Sequence, residues 1–468
     1  MSAKKKGVLF SGQFGFVIAA AGSAVGVGNL WRFPYLAAKD GGGTFIIIYL
    51  VLVVSFGFTL LVSDIAIGRK TGKSAIHAYE ALSRKWKFLG ILTFLVPVVI
   101  MTYYAVIGGW ITRFMVDLIV GNGTAAADDG YFVSFITSPV SPVVYGLIFM
   151  VVTGFVIYNG VEGGIERCSR LLMPVLIALV VGIAIFSLTL SYTDADGTVR
   201  TGLQGLVVYL KPDFSQMTPG TFLKTLLDAM SQIFFSLSVS MGIMITYGSY
   251  VKKNVNLYRS VRQIEVFDTG VALLAGMMII PAVFVFSGME GMAKGPTLMF
   301  VAMPKVFAAM GPAGRYMGIA FFALAIFATL TSCISVLESI TANCMEIFHA
   351  SRKKTTVVLT VIYCAATAVI ALGYSILYCD ILLPGGGTGQ LLDLMDYISN
   401  SLMMPIISLL SAILIGWVVG SKCITDEMTL NGEKFGRKWL YNVMIRYVVP
   451  IVMLILTLQA LGLLSWLK

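Results

Sequence analysis

The chain has 468 residues, of which 58% are hydrophobic and only 12% charged, and its formal net charge is +10. A water-soluble globule is about one-quarter charged, so there is too little charge here to cover a soluble surface, and no gap between apolar runs is long enough for a separate soluble domain. The composition predicts one all-α membrane domain over residues 1–468 instead of the about three soluble domains that length alone would suggest.

The surplus positive charge follows a pattern. Lys4, Lys5 and Lys6 precede the first apolar run, and Arg69, Lys70, Lys73, Arg84, Lys85 and Lys87 follow the second. Later clusters are Arg167 and Arg170; Lys252, Lys253, Arg259 and Arg262; Arg352, Lys353 and Lys354; and Lys422, Lys434, Arg437 and Lys438. They fall in every second gap, as cytoplasmic loops do under the positive-inside rule. A nucleic-acid face would gather them into one stripe, so the expected partners are the bilayer and a small molecule. The six cysteines show no CxxC spacing, and the two histidines, His77 and His349, sit beside basic clusters. No His/Cys metal constellation and no disulfide framework is expected.

A helix crosses the hydrocarbon with about 20 apolar residues. That rule gives eleven segments, near 14–38, 44–68, 88–121, 138–158, 168–190, 223–250, 257–287, 315–348, 355–376, 389–417 and 439–466. An odd count with this charge pattern puts the N-terminus in the cytoplasm and the C-terminus outside a cell (inner) membrane. The basic start followed by AAAGSA could mimic a signal peptide, but further spans follow directly and the spanning reading is preferred.

The first segment is broken by Gly22, Gly26 and Gly28, followed by Asn29 and Arg32. GSAVG also fits the GxxxG pattern of closely packed helices, so the glycines alone leave packing and binding both open. The third span places Tyr104 one turn from Ile100 and Ile107, either as a phenol over an aliphatic shelf or as a packed interhelical tyrosine. The sixth carries Ser236, Ser238, Ser240 and Gly242 near mid-membrane. If the first ten helices divide into halves of five, helices 1 and 6 are broken at matching places. That pattern points to an inverted-repeat transporter site, where freed carbonyls hold cations and half-helix N-termini attract anions.

In the eighth span Ala328, Thr331 and Ser332 share a face, which suits a hard cation, although membrane hydroxyls commonly bond back to their own helix. Acids in or near the spans are Asp64, Asp268, Glu338 and Asp396, and intramembrane acids are functional by default. Asp268 has no Lys or Arg on its helix face, and could ligate a cation or carry a proton. Asp396 begins a span on the side where Arg32 ends a half-helix, so an Arg–Asp closure is expected there.

The stretches GFVIAAAGSAVGVGNLWRFPYLAAKDGGGTF, SDIAIGR, QIFFSLSVSMGIMITYGSY and ATLTSCISVLES, in that order along the chain, resemble the neurotransmitter:sodium symporter family, and the eleven-helix length resembles its bacterial amino-acid transporters. The resemblance implies a five-plus-five inverted repeat over about 14–190 and 223–417 with an extra helix near 439–466, and a sodium-coupled symporter that is not an enzyme. It implies one sodium at Ala24, Asn29, Ser236 and Asp268, shared with the substrate carboxylate, and a second at Gly22, Val25, Ala328, Thr331 and Ser332. The carboxylate is expected on the Val27 and Gly28 amides and Tyr104, and the amine near Ala24, Phe235, Ser236 and Ser238, with Ser332 bordering the substrate. Ile100, Phe235, Met241 and Val336 are expected to wall the side chain.

Monoamine carriers have an aspartate at the position of Gly26; glycine there leaves room for an α-carboxylate, so an amino acid is expected. Met241, adaptable in shape, leans toward hydrophobic or aromatic side chains. Asp268 stands where other members use asparagine, and its charge is expected to make chloride unnecessary. The outer gate is expected at Arg32 and Asp396, with Tyr104 and Phe235 closing over the substrate. The inner gate is expected at Glu346 with Lys6, although strict spacing lands on Gly7. Gly164 and Pro174 resemble the motif at which helix 5 unwinds. A proton-coupled carrier using Asp268 is the alternative; a channel would need polar faces continued toward the cytoplasm. An enzyme would need a Ser/His pair, a His–Glu motif or an Asp dyad, none of which is present.

Overall fold

The computed structural model describes residues 9–193, 197–215, 217–292, 295–383 and 387–463. The chain is almost entirely helical, because backbone polar groups in hydrocarbon must be satisfied within their own segment. The helices that build the bundle are α1 (Gln13–Ala24), α2 (Gly28–Lys39), α3 (Gly43–Thr71), α4 (Ala75–Leu82), α5 (Arg84–Val120), α6 (Ser141–Tyr158) and α7 (Val161–Leu188). They continue with α8 (Pro219–Ser236), α9 (Ile243–Ser249), α10 (Leu257–Ser287), α11 (Pro312–Phe348), α12 (Arg352–Leu372), α13 (Leu391–Val418) and α14 (Lys438–Ala460).

Among the described residues nine helices are long and apolar enough to cross a membrane, and α1 with α2, bent by 53°, makes a tenth. The remaining expected span is α8 with α9. A six-residue break (237–242) separates them, and α8 carries Lys224 and Asp228. The basic clusters 69–87, 167–170, 252–262 and 352–354 lie at one end of the bundle, here named the inner end, and the helix ends near 40, 121 and 391 lie at the outer end.

Both breaks are visible in the backbone. α1 stops at Ala24, Val25 is extended (φ −70°, ψ 101°), and α2 resumes at Gly28 with a wide π-turn. After α8, Ser238 (φ 52°), Ser240 (φ 62°) and Gly242 (φ 74°) all take the left-handed conformation. Such serines cost roughly 1–3 kcal/mol each and persist only when their surroundings hold them. Here Ser238 Oγ donates to the Ser23 carbonyl at 3.0 Å, and Ser240 N–H donates to Asp64 Oδ2 at 2.8 Å. Ser240 and Ser408 also share a hydroxyl–hydroxyl bond. Asp64 is thereby placed behind the break, holding it from α3.

Helix α3 crosses α9 at backbone distance. A Cβ on Gly68 would meet the Ile245 carbonyl at 1.9 Å, and one on Gly248 the Ile65 carbonyl at 2.3 Å. Helix α7 is continuous through Pro174, with a π-turn over Val161–Glu166, so unwinding at the Gly164–Pro174 motif is not seen in this structure. At the outer end, an apolar helix at Leu298–Ala309 packs Phe300 against Phe132 (4.9 Å between ring centroids) and Phe114 (5.1 Å). Two short hairpins, Ser191–Thr193 with Val199–Thr201 and Ile381–Leu382 with Thr388–Gly389, are the strand pairs among the described residues.

Candidate binding site at the broken helices

The two breaks face each other, and their polar groups meet α10 and α11. Asn29, Ser236 and Asp268 form one buried cluster. Asn29 Nδ2 donates to Asp268 Oδ1 at 3.0 Å and to Ser236 Oγ at 3.1 Å, and Ser236 Oγ lies 2.7 and 2.8 Å from the two carboxylate oxygens. Asn29 Oδ1 accepts the Gly26 N–H at 3.2 Å. Asp268 is completely buried, with no cation at ion-pair distance among the described residues. The serine has one proton to give to two carboxylate oxygens. The cluster is therefore rich in oxygen lone pairs and, with the carboxylate ionised, would hold a negative charge with no paired cation, a donor set that fits a small hard cation.

The hydroxyl cluster on α11 is built differently. Thr331 Oγ1 bonds back to the Phe327 and Ala328 carbonyls (3.0 and 3.1 Å), and Ser332 Oγ reaches both Ala328 O (3.1 Å) and Ser23 O (3.2 Å). Backbone bonding thus accounts for Thr331, while Ser332 links α11 to the first break. The facing carbonyls that the family resemblance implies are those of Gly22 and Val25. The carbonyl that is bonded is Ser23, which accepts from both Ser332 and Ser238. Gly22 packs against Thr331 and Met173, with 3.3–3.5 Å left for a Cβ, so this part of the glycine motif is closely packed against α7 and α11. Ser23 lies in the last turn of α1, where carbonyls lack a partner within the helix, and that position is the signal that could have found it.

Between the clusters lies a cavity of about 30 Å³, lined by Ala24, Gly26, Gly28, Ile100, Tyr104, Phe235, Ser238, Met241, Ser332 and Val336 among others. A Cβ on Gly26 would come within 3.0 Å of Ser332 Oγ and 3.2 Å of Tyr104 Oη, so the glycine keeps a small polar space open. The Tyr104 hydroxyl also faces the Val27 amide. The ring of Phe235 is packed against Gly28, where a Cβ would be 2.3 Å from its nearest atom. Tyr104 and Phe235 also line an outer cavity of about 350 Å³, with Arg32, Lys39, Asp228 and Asp396, so the two rings divide one space from the other. Asn400 lines the inner cavity as well. It was not picked out from the sequence, although it stands one helical turn from Asp396.

The expected outer ion pair is not formed. Arg32 Nη2 donates to Ser231 Oγ at 2.7 Å, and Asp396 Oδ1 accepts from Tyr103 Oη (3.0 Å) and Asn400 Nδ2 (2.6 Å). Both charges line the same cavity, but each is held by a neutral partner. At the inner end Lys6 lies outside the described residues. Glu346 instead accepts from Ser74 N–H (3.0 and 3.2 Å) and Ser74 Oγ (2.7 Å), capping the first turn of α4, where unpaired N–H groups favour a carboxylate. The closures visible there use other residues. Glu338, fully buried, takes a two-pronged pair from Arg352 (2.5 and 2.8 Å) and the Tyr250 hydroxyl (2.6 Å). Ser11 N–H donates to Glu166 at 2.9 Å, and Phe10 is packed against Tyr247 and Tyr250.

The family model described as the sodium:neurotransmitter symporter family matches residues 8–122 and 139–465. The chain belongs to that family. It is a sodium-dependent multi-pass membrane transporter. It is 33% identical to the sodium-dependent transporter YhdH of Bacillus subtilis (strain 168) over 99% of this chain and 100% of that one. A sodium-dependent transporter of Haemophilus influenzae is 31% identical over 97% of this chain and 98% of its own. Among solved structures, MhsT in complex with L-phenylalanine superposes with a TM-score of 0.83 at 33% identity, covering 97% of this chain and 99% of that one.

Proposed function

We propose that the chain is a symporter that imports an α-amino acid with a hydrophobic or aromatic side chain, driven by sodium and working by alternating access. The observation that carries this reading is the space kept by Gly26 between Tyr104 Oη and Ser332 Oγ, beside the Asn29–Ser236–Asp268 cluster. A substrate carboxylate seated there meets the Val27 and Gly28 amides at the start of α2 and completes the shell of a first sodium with Ala24, Asn29, Ser236 and Asp268. A second sodium takes carbonyls of the first break with Ala328, Thr331 and Ser332. The side chain lies toward Ile100, Phe235, Met241 and Val336, which are carbon or sulfur surfaces. The likeness to a structure holding L-phenylalanine supports the same substrate class.

Each sodium moving inward gains about 2.3 kcal/mol per 100 mV, so two supply roughly 4–5 kcal/mol from the potential alone. Coupling requires that ions and substrate stabilise one occluded arrangement together, and the shared carboxylate provides that link. The fixed charge of Asp268 makes chloride unnecessary. The architecture is a pair of five-helix repeats, about 14–190 and 223–417, plus a last helix near 439–466. The topology is N-terminus cytoplasmic and C-terminus outside, in the cell (inner) membrane, with the α8–α9 pair as the eleventh span.

The test is binding of labelled leucine, phenylalanine, tyrosine, tryptophan, glutamate and lysine to purified protein, with and without sodium at fixed pH. Sodium-dependent binding of the apolar members is expected. Binding that follows pH and ignores sodium would overturn the coupling, and failure of every amino acid to bind would overturn the substrate class.

A further inference from the structure

One polar atom at the small cavity has no place in the ion and carboxylate sets. Asn400 stands in the wide π-turn of α13 from Tyr397 to Met403, four residues beyond Asp396, and lines the cavity. Its Nδ2 donates to Asp396 Oδ1 at 2.6 Å and to Tyr103 Oη at 3.0 Å. A carboxylate can only accept, so this contact fixes which way the amide is turned: NH2 to the gate, carbonyl elsewhere. Oδ1 is then buried with no hydrogen-bond partner among the described residues. An unpaired buried amide oxygen is unfavourable, and the side-chain walls of the cavity at Ile100, Phe235, Met241 and Val336 offer it no donor. Asn400 also borders a second cavity of about 210 Å³ between α8, α13 and α14. Open volume therefore lies on both sides of this residue, about 30 Å³ toward the breaks and about 210 Å³ toward α14.

We propose that Asn400 Oδ1 is a specificity-determining acceptor for the far end of the substrate side chain, favouring aromatic amino acids that carry a ring donor. Those are tyrosine with its phenol and tryptophan with its indole N–H. This rests on the amino-acid reading above and narrows it. The carboxylate and amine stay at the breaks, and the ring donor satisfies the one acceptor that the gate network leaves over. A site built to pair a substrate hydroxyl rejects the analogue lacking it, because its own group is then left unpaired.

The deciding measurement is the ratio of tyrosine to phenylalanine affinity in saturating sodium, since the two differ by one hydroxyl. The wild type is expected to prefer tyrosine by about three- to tenfold, as one neutral hydrogen bond allows. Asn400→Leu, close in shape but without an acceptor, should bring the ratio to about one, and Asn400→Ala should do the same if the leucine variant does not fold. Any damage to the Asp396 gate affects both substrates alike and cancels in the ratio. Phenylalanine binding in sodium with no tyrosine preference, or a preference that survives both substitutions, would overturn the role of Asn400 and leave the symporter reading standing. Absence of binding by every amino acid would instead remove the reading on which it rests.

Discussion

The two ends of the bundle are fastened by different chemistry. At the outer end a cavity of about 350 Å³ contains Arg32 and Asp396 without joining them, each held by hydroxyl or amide groups of its neighbours. At the inner end Glu338 is wholly buried and gripped by Arg352 and Tyr250, and Ser11 is tied to Glu166 at the foot of α7. A bond from a hydroxyl to a charge can be exchanged for water at an open cavity with little loss. A buried pair that loses one partner leaves an uncompensated charge, worth about 3–5 kcal/mol. The inner end thus holds a charge pair whose carboxylate is fully buried, whereas the ion pair at the outer cavity, Lys39 with Asp228 at 2.6 Å, is partly exposed; on the topology proposed above, that is the arrangement expected of a carrier that loads from the outer end.

The largest expected effect comes from breaking the inner lock. Glu338→Gln removes the charge that Arg352 needs, and the loss of about 3–5 kcal/mol from the inward-closed arrangement amounts to a hundredfold or more in the equilibrium between arrangements. Substrate affinity should fall by at least about tenfold. Amide exchange over residues 9–24 should quicken, because α1 loses the packed floor beneath it. Slow exchange in a variant that still folds would show that the pair serves stability and not the closing of the path.

Asp268→Asn acts at mid-membrane, where the comparison turns from gates to ions. The cluster keeps its hydrogen bonds but loses its charge, and charge-assisted bonds are worth about 1.5–3 kcal/mol. Sodium affinity should drop by about ten- to a hundredfold in chloride-free medium. Chloride, as a replacement negative charge, should recover most of it. Equal sodium affinity with and without chloride in this variant would sever Asp268 from the ion site or from the chloride role.

The spans and both breaks were legible in the sequence because they depend on local composition: an apolar run, three glycines, alternating serines. The Asn29–Ser236–Asp268 cluster was reachable through the resemblance, and it lies in one place. What could not be read is pairing across helices. Arg32 meets Ser231, 199 residues away, and Glu346 meets Ser74, 272 residues away. Both partners are set by how close two helices come, not by any periodicity. Ser74, the partner of Glu346, was further hidden because α4 is short, only Ala75–Leu82, and reads as loop between basic residues. Asp64 stood out as a buried acid, yet its task of holding the left-handed Ser240 needed the backbone angles.

The smallest expected effect is at Ser332, which belongs to neither end. Its hydroxyl joins α11 to the first break through the Ser23 carbonyl at 3.2 Å, while also bonding Ala328 O at 3.1 Å. Ser332→Ala removes one neutral ligand, about 0.5–1.5 kcal/mol, so the sodium concentration for half-maximal substrate binding should rise by about three- to tenfold. Thr331→Ala should behave alike if both hydroxyls serve one ion, even though Thr331 is the one bonded only within its own helix. Titrating sodium against a fixed amino acid separates the cases. A second ion predicts a shifted midpoint and a shallower curve, because two ions no longer bind together. A packing role predicts lower thermal stability with the curve unmoved, and that result would reject the second sodium site. The inner lock at Glu338 is untouched by either substitution, so exchange over residues 9–24 should stay slow, and the difference between a weakened ion site and an opened gate becomes directly measurable.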